Sequence, residues 1–200
     1  MDVLKKVTLL VTATVAIVLV VGWSVHLFGF RSFISAVVVN WVVVCWIATA
    51  SLILNFSLPS SYYETKSFEA GQLYERLGVR FCKKLLRRGP LRILSPKLRI
   101  PNPIVVESLR ELEYEMRRAE TIHVVAFIVM MFVAGYGAVR GWLDALSWML
   151  LFNVLLNIYP MMLQRHNRMK LQRLIGSING KAIGVSVTQH RVIGSVSGER

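Results

Sequence analysis

Four apolar runs limit what this chain can fold into. They cover Val7 to Phe28, Phe33 to Leu54, Ile122 to Val139 and Leu143 to Leu163. Each is close to the ~20 residues that an α-helix needs to cross a ~30 Å hydrocarbon core. Apart from Asp144, none carries Asp, Glu, Lys or Arg. In lipid the backbone must satisfy its own hydrogen bonds, so runs of this length form helices rather than irregular chain. The expected fold class is therefore all-α and integral to a membrane, with four transmembrane helices. The hydrophobic fraction of 54% follows from these runs and sets the chain apart from ordinary soluble domains.

Lys5 and Lys6 ahead of the first run, with Ala13 and Ala16 inside it, give a weak match to a secretory signal. The run is longer than the apolar core of such a signal, and a second follows within a few residues. An uncleaved signal anchor is the expectation. The placement of charge fixes an orientation. Of the 24 Lys and Arg residues, 13 lie between Phe56 and Glu120, seven follow Leu163 and two precede the first run. The connections at Arg31 and Arg140 carry one each. Lys/Arg excess marks the cytoplasmic side, so both termini and the central segment are expected in the cytoplasm of a multi-pass cell-membrane protein. An even number of spans gives the same answer independently. A net charge of +13 also raises nucleic acid as a partner. The charge is accounted for by positive-inside loops, and no nucleic-acid-binding motif is present, so none is expected. Cys45 and Cys82 lie in different environments and form neither a disulfide nor a zinc spacing.

The chain divides into an N-terminal transmembrane hairpin (1–56), a basic cytoplasmic interfacial segment (57–119), a C-terminal transmembrane pair (120–175) and a flexible tail (176–200). Gly29 to Ser32 make the hairpin turn. In the second segment, Phe68, Leu73, Leu77, Phe81 and Leu85 recur at four or five residues, ending in Lys83, Lys84, Arg87 and Arg88. That pattern predicts an amphipathic helix lying among lipid headgroups, stopped by Gly89-Pro90. A long helix is expected from about Pro103, a residue suited to a first turn, running on into the third span. From Gly176 the sequence is rich in Gly, Ser and Val and loses helical periodicity.

Two polar clusters interrupt this plan. Glu120 and His123 sit where the charged stretch Glu115 to Arg118 meets the third apolar run. Three residues apart, they share a helix face and place a carboxylate and an imidazole at the bilayer rim. In the fourth run, Asn153, Asn157, Gln164 and Arg168 follow one another at four, seven and four residues, a single stripe that also includes Pro160. Amides in lipid turn toward a bundle interior, because an unsatisfied polar group there costs several kcal/mol. They either hydrogen-bond helices together or belong to a site. Gln164-Arg165-His166-Asn167-Arg168 ends the run at the same depth as Glu120 and His123, so two segments converge on one layer. Glu-x-x-His alone supplies too few zinc ligands and is one unit short of a di-iron bundle. No nucleotide-binding or nucleophile-elbow motif appears.

These residues resemble the glycosyl-4,4′-diaponeurosporenoate acyltransferases, a family of small integral membrane proteins of bacterial carotenoid biosynthesis. Two blocks carry the resemblance: Arg118-Ala119-Glu120-x-x-His123, and Asn157 followed by Gln164-Arg165-His166-Asn167-Arg168 and Leu171. A looser match, Pro59-x-x-Tyr62-Tyr63, Phe68-Glu69-x-x-Gln72-x-Tyr74 and Lys83-Lys84, precedes them. Together they span about Pro59 to Leu174. The chain has His166 where the family tends to have Tyr, and Met169 where it tends to have Pro.

The resemblance implies acyl transfer to a sugar hydroxyl of a membrane-embedded glycolipid or glycosylated carotenoid. Acyl-CoA or another acyl donor is then a substrate, and no cofactor or metal is implied. On that expectation His123 removes the hydroxyl proton, and Glu120 either orients or charges the imidazole or pairs with an arginine instead. Arg165 and Arg168 hold a phosphorylated donor or stabilise the oxyanion, with Asn167, Gln164 and Asn157 as further substrate contacts. Lys83 and Lys84 gather the donor at the surface. The alternatives from other classes are a non-enzymatic scaffold, with the polar layer locking helices together, and a small transporter with a water-filled path at mid-membrane.

Overall fold

A computed structural model describes residues 2–64, Lys66, Tyr74 and residues 106–196, with side chains as far as Ile178. The amphipathic helix expected over 68–86, with Lys83 and Lys84, lies outside the described residues. Those described form helices and no strands. Helix α1 covers Val3–Phe28 and α2 covers Phe33–Leu54. After a 3-10 turn at Ser60–Tyr63, α3 covers Val106–Val139. The last stretch is α4, Leu143–Asn153, a π-helical turn at Val154–Ile158, and α5, Tyr159–Val196. Four stretches are long and apolar enough to cross a membrane: α1, α2, α3 and Leu143–Ile178. The chain is a multi-pass membrane protein. With four crossings both ends of the chain emerge on one side, the end bearing Lys5, Lys6 and Arg165, called here the basic end.

Helices α1 and α2 form a hairpin around Gly29, whose φ of 75° suits a residue without Cβ. Ser32 caps α2 by accepting the Ser35 N–H at 3.1 Å. Across the hairpin the Ser35 hydroxyl reaches the Ser24 carbonyl (3.3 Å), and the Trp46 indole N–H donates to the Thr14 hydroxyl (3.0 Å). Much of the remaining surface of α1, including Val11, Val18, Leu19 and Trp23, is exposed and apolar, as suits a lipid-facing helix.

The core lies among α2, α3 and α4, where Ala36, Val39, Met130, Ala134 and Met149 are buried together. Near the opposite end, Gly137 on α3 packs against α4, where a Cβ would stand 3.4 Å from the Leu146 backbone nitrogen, an ordinary van der Waals contact. Gly141, at φ 69°, makes the turn between the two helices.

The long helix expected from about Pro103 into the third span is present as α3, in which Ile122 marks only the change to apolar composition. The 34 residues of α3 span about 51 Å at 1.5 Å per residue, well beyond a ~30 Å core. Its charged first half continues the helix past the apolar part and packs on α5 through Leu109, Met116 and Leu171. Likewise α5 passes through Gly176 to Val196, where the sequence suggested irregular chain. A helix pays little for a single Gly, about 1 kcal/mol relative to Ala, and needs no apolar stripe to hold its own backbone bonds.

Candidate functional site

The site is built where α3 leaves the apolar layer and α5 comes down beside it. Glu120, Arg165 and Arg168 meet there, and Glu120 and Arg168 are completely buried. The Arg165 guanidinium donates to one Glu120 oxygen at 3.0 Å and the Arg168 Nε to the other at 3.3 Å. Charge-assisted bonds of this kind are the stronger class of hydrogen bond. One carboxylate thus serves two guanidiniums.

The same two arginines hold the segment that follows α2. Arg165 donates to the carbonyls of Tyr62 (3.1 Å) and Glu64 (3.2 Å), and Arg168 donates to the Tyr63 carbonyl (2.5 Å). Each guanidinium also sits over a ring, Arg165 on Tyr62 at 5.1 Å and Arg168 on Tyr63 at 5.4 Å. The Tyr63 hydroxyl is hydrogen-bonded to that of Thr121 on α3. Pro59 initiates this turn, and Arg117, itself paired with Glu113 at 2.7 Å, also lies over the Tyr63 ring at 5.2 Å. The segment is therefore clamped from two helices.

The imidazole belongs to a second, adjoining network. His123 Nδ1 lies 3.4 Å from Asn157 Oδ1. Asn157 Nδ2 donates to Asn153 Oδ1 at 2.8 Å and faces Asn40 Oδ1 at 3.4 Å. Asn153 Nδ2 donates to the Phe127 carbonyl (3.2 Å), and Asn40 Nδ2 donates to the Ala36 carbonyl (3.0 Å). All three amides are fully buried. The ring is also within reach of the Leu156 carbonyl, four residues before Pro160. Proline has no N–H to give that carbonyl, and the π turn that precedes it carries Asn157.

Of the two expectations for Glu120, orienting His123 or pairing with an arginine, the geometry has the second. Helical neighbours three apart share a face, but each meets a different partner. Glu120 faces α5 and its arginines, while His123, one turn further into the apolar layer, faces the π turn. Arg168, completely buried and bonded to Glu120 and to the Tyr63 carbonyl, has no surface from which to take a soluble donor. Arg165 does reach an opening. It lines a cavity of about 280 Å3 with Ser61, Tyr62, Lys66, Tyr74, Met161 and Met162. His123 is not part of that wall. Gln164 is buried, and among the described residues its Oε1 and the Arg168 Nη2 have no hydrogen-bond partner. Asn167 is half-buried and outside the Glu120 bonds. Lys83 and Lys84 lie outside the described residues.

Tyr62 and Tyr63 stood in the sequence only within the looser family match Pro59-x-x-Tyr62-Tyr63, with no role assigned to them. The Tyr62 ring forms part of the cavity wall, and its hydroxyl donates to the Met161 sulfur at 3.6 Å, a weak acceptor. Burial, reinforced by the Glu120 carboxylate and partly opposed by Arg165, pushes its phenol up to about 12. It remains a neutral donor at any physiological pH.

Four helices long enough to cross a membrane, with a buried Arg-Glu-Arg cluster and an amide-held imidazole near one rim, make up a multi-pass membrane protein with a polar layer at one end. The model of the family Glycosyl-4,4'-diaponeurosporenoate acyltransferase matches residues 59–177, which contain every charged member of both networks. The chain belongs to that family, and it is an acyltransferase of carotenoid biosynthesis. No curated protein and no solved structure matches it significantly.

Proposed function

We propose that the enzyme moves an acyl group onto a sugar hydroxyl of a membrane-embedded glycosylated acceptor, a glycosylated carotenoid or a related glycolipid. The observation that carries this reading is the imidazole held by amides at the rim of the bundle. A base placed at that depth reaches a sugar whose hydrophobic tail stays in lipid. His123 takes the hydroxyl proton as the oxygen attacks the acyl carbonyl carbon of a thioester donor such as acyl-CoA. The carbon–sulfur bond breaks as the tetrahedral intermediate collapses, and the imidazolium returns the proton to the leaving thiolate. The ester stays in the membrane and the thiol leaves.

The charge layer beside it suits the donor. Two guanidiniums on one carboxylate leave a surplus positive charge, which favours an anionic oxygen nearby. Arg165 and Lys66 at the cavity present cations to a phosphorylated donor, while Met161, Met162 and the tyrosine rings offer apolar contacts for an acyl chain. Lys83 and Lys84 would concentrate that donor at the surface. The distribution of Lys and Arg supports a basic end facing the cytoplasm of the cell membrane, where acyl-CoA is available.

The test uses full-length protein in lipid nanodiscs with radiolabelled acyl-CoA and a glycosylated carotenoid acceptor. His123→Gln should lower transfer by about 10²- to 10⁴-fold with insertion and thermal stability retained. Wild-type transfer by that variant would remove His123 as the base. No transfer by wild-type protein to any glycosylated lipid would favour a scaffold, with the polar layer locking helices.

A further inference from the structure

We propose that Asn153 and Asn40 are positioning residues for the transfer: acting through Asn157, they hold the His123 imidazole with its proton on Nδ1 and its lone pair on Nε2. The inference rests on the reading of His123 as the base, and it draws in α2, which lies outside the matched segment 59–177.

The argument follows donors and acceptors along the chain of amides. Asn153 Nδ2 is fixed as a donor by the Phe127 carbonyl at 3.2 Å, so Asn153 presents an oxygen to Asn157. Asn40 Nδ2 is fixed as a donor by the Ala36 carbonyl at 3.0 Å, so it too presents an oxygen. Asn157 meets both oxygens with its NH₂, at 2.8 and 3.4 Å. Its own oxygen is then turned toward His123 Nδ1 at 3.4 Å, and an amide oxygen only accepts. That contact calls for the proton on Nδ1; the Leu156 carbonyl, one residue before Asn157, is a second acceptor at the ring and is assigned to the same N–H. The tautomer of a histidine is set by the bond its second nitrogen makes. Asn153 and Asn40 are each anchored on a helix carbonyl, and all three amides are fully buried.

The arrangement does for this imidazole what a buried carboxylate does in a serine protease, without placing a charge in lipid. An ionised carboxylate at this depth is costly, whereas neutral amides cost little once every bond is made. Asn157 lies inside the π turn that begins immediately after Asn153. Such turns recur at functional sites because they re-aim a few side chains within an otherwise continuous helix. The closer contact makes Asn153 the stronger determinant, and Asn40 the weaker.

The test has a readout besides turnover. Full-length protein labelled with ¹⁵N-histidine is placed in nanodiscs, and the His123 signals are identified as those missing from His123→Gln. The expected spectrum shows a protonated Nδ1 and a bare Nε2. Asn153→Leu, which removes both the acceptor and the donor, should mix the tautomers. It should lower kcat about 10- to 100-fold with KM nearly unchanged. Asn153→Asp, which keeps an acceptor oxygen for Asn157, should recover part of kcat, and Asn40→Leu should show a smaller loss. A wild-type spectrum with the proton on Nε2 overturns the proposal even if Asn153→Leu does not fold. Wild-type kcat in both leucine variants overturns it as well. Protein with the expected tautomer but no transfer supports the positioning and removes the acyltransfer reading alone.

Discussion

Replacing Glu120 with glutamine tests whether one carboxylate holds the basic end together. Glu120 is completely buried and bonded to Arg165 at 3.0 Å and Arg168 at 3.3 Å. Glutamine keeps the shape and one acceptor but turns an NH₂ toward a guanidinium. Breaking a buried ion pair from one side costs about 3–5 kcal/mol, because the remaining charge stays buried and unbalanced. Arg165 is slightly exposed and can relax toward water, whereas Arg168 cannot, so the loss belongs within that range rather than at twice its value. Against a total stability of about 5–15 kcal/mol for a typical domain, this is a large fraction. The loosened arginines also bond the carbonyls of Tyr62, Tyr63 and Glu64. The assay is therefore twofold: unfolding by denaturing detergent in mixed micelles, and amide hydrogen exchange over residues 58–64. Both should report destabilisation, while the ¹⁵N signature of His123 stays that of the wild type, since its partner is Asn157. Replacing all three charges by Leu and Met removes the buried charges but also the donors to the three carbonyls, so residues 58–64 should still exchange faster than in the wild type. Wild-type unfolding and exchange in Glu120→Gln would refute the clamp. A changed tautomer with an unchanged segment would restore Glu120 as the partner of His123.

Two further outcomes follow from the same geometry. The Tyr62 phenol has a folded pKa of about 12 against an ordinary 10.0. A raised value means the neutral phenol is the favoured form in the folded protein. Its contribution to stability is complete below pH 10 and is lost as pH rises through about 12. Ultraviolet phenolate titration should show one slow-titrating tyrosine that disappears in Tyr62→Phe; a Tyr62 that ionises near pH 10 would contradict its burial beside Glu120. At the opposite end, Arg31 bonds Asp144 at 2.8 Å, but both side chains are substantially exposed. Exposed pairs contribute little, so Asp144→Asn should leave the unfolding midpoint and the transfer rate unchanged, and a clear loss in either would show the pair to be structural.

The architecture could be read early because lipid imposes it. A run such as Phe33–Leu54, without a formal charge, has one way to satisfy its backbone in hydrocarbon, and the helix in the structure has those same bounds. The same held where the solvent changes: the long helix expected from about Pro103 into the third span is α3, unbroken from Val106, since helical bonding does not depend on the solvent around it. The convergence of Glu120 with Arg165 and Arg168 was also legible, because an even number of crossings places both segments at one depth. Tyr63 was not, since a tyrosine in a connection carries no sign that its carbonyl will be held by an arginine 105 residues away.

Composition and spacing by themselves determined the number of crossings, the end at which charge collects and the polar stripe through Asn153 and Asn157. Each depends on the cost of exposing polar groups to lipid, which acts on every residue alike and is written locally in the chain. Which partner each polar group takes was decided by the tertiary structure. Glu120 and His123 share a face, but helix packing and the π turn give the carboxylate two arginines and the imidazole an amide. Hydrogen bonds are short-ranged and directional; a difference of one turn between facing helices reassigns them, and no periodicity in a single helix records that difference.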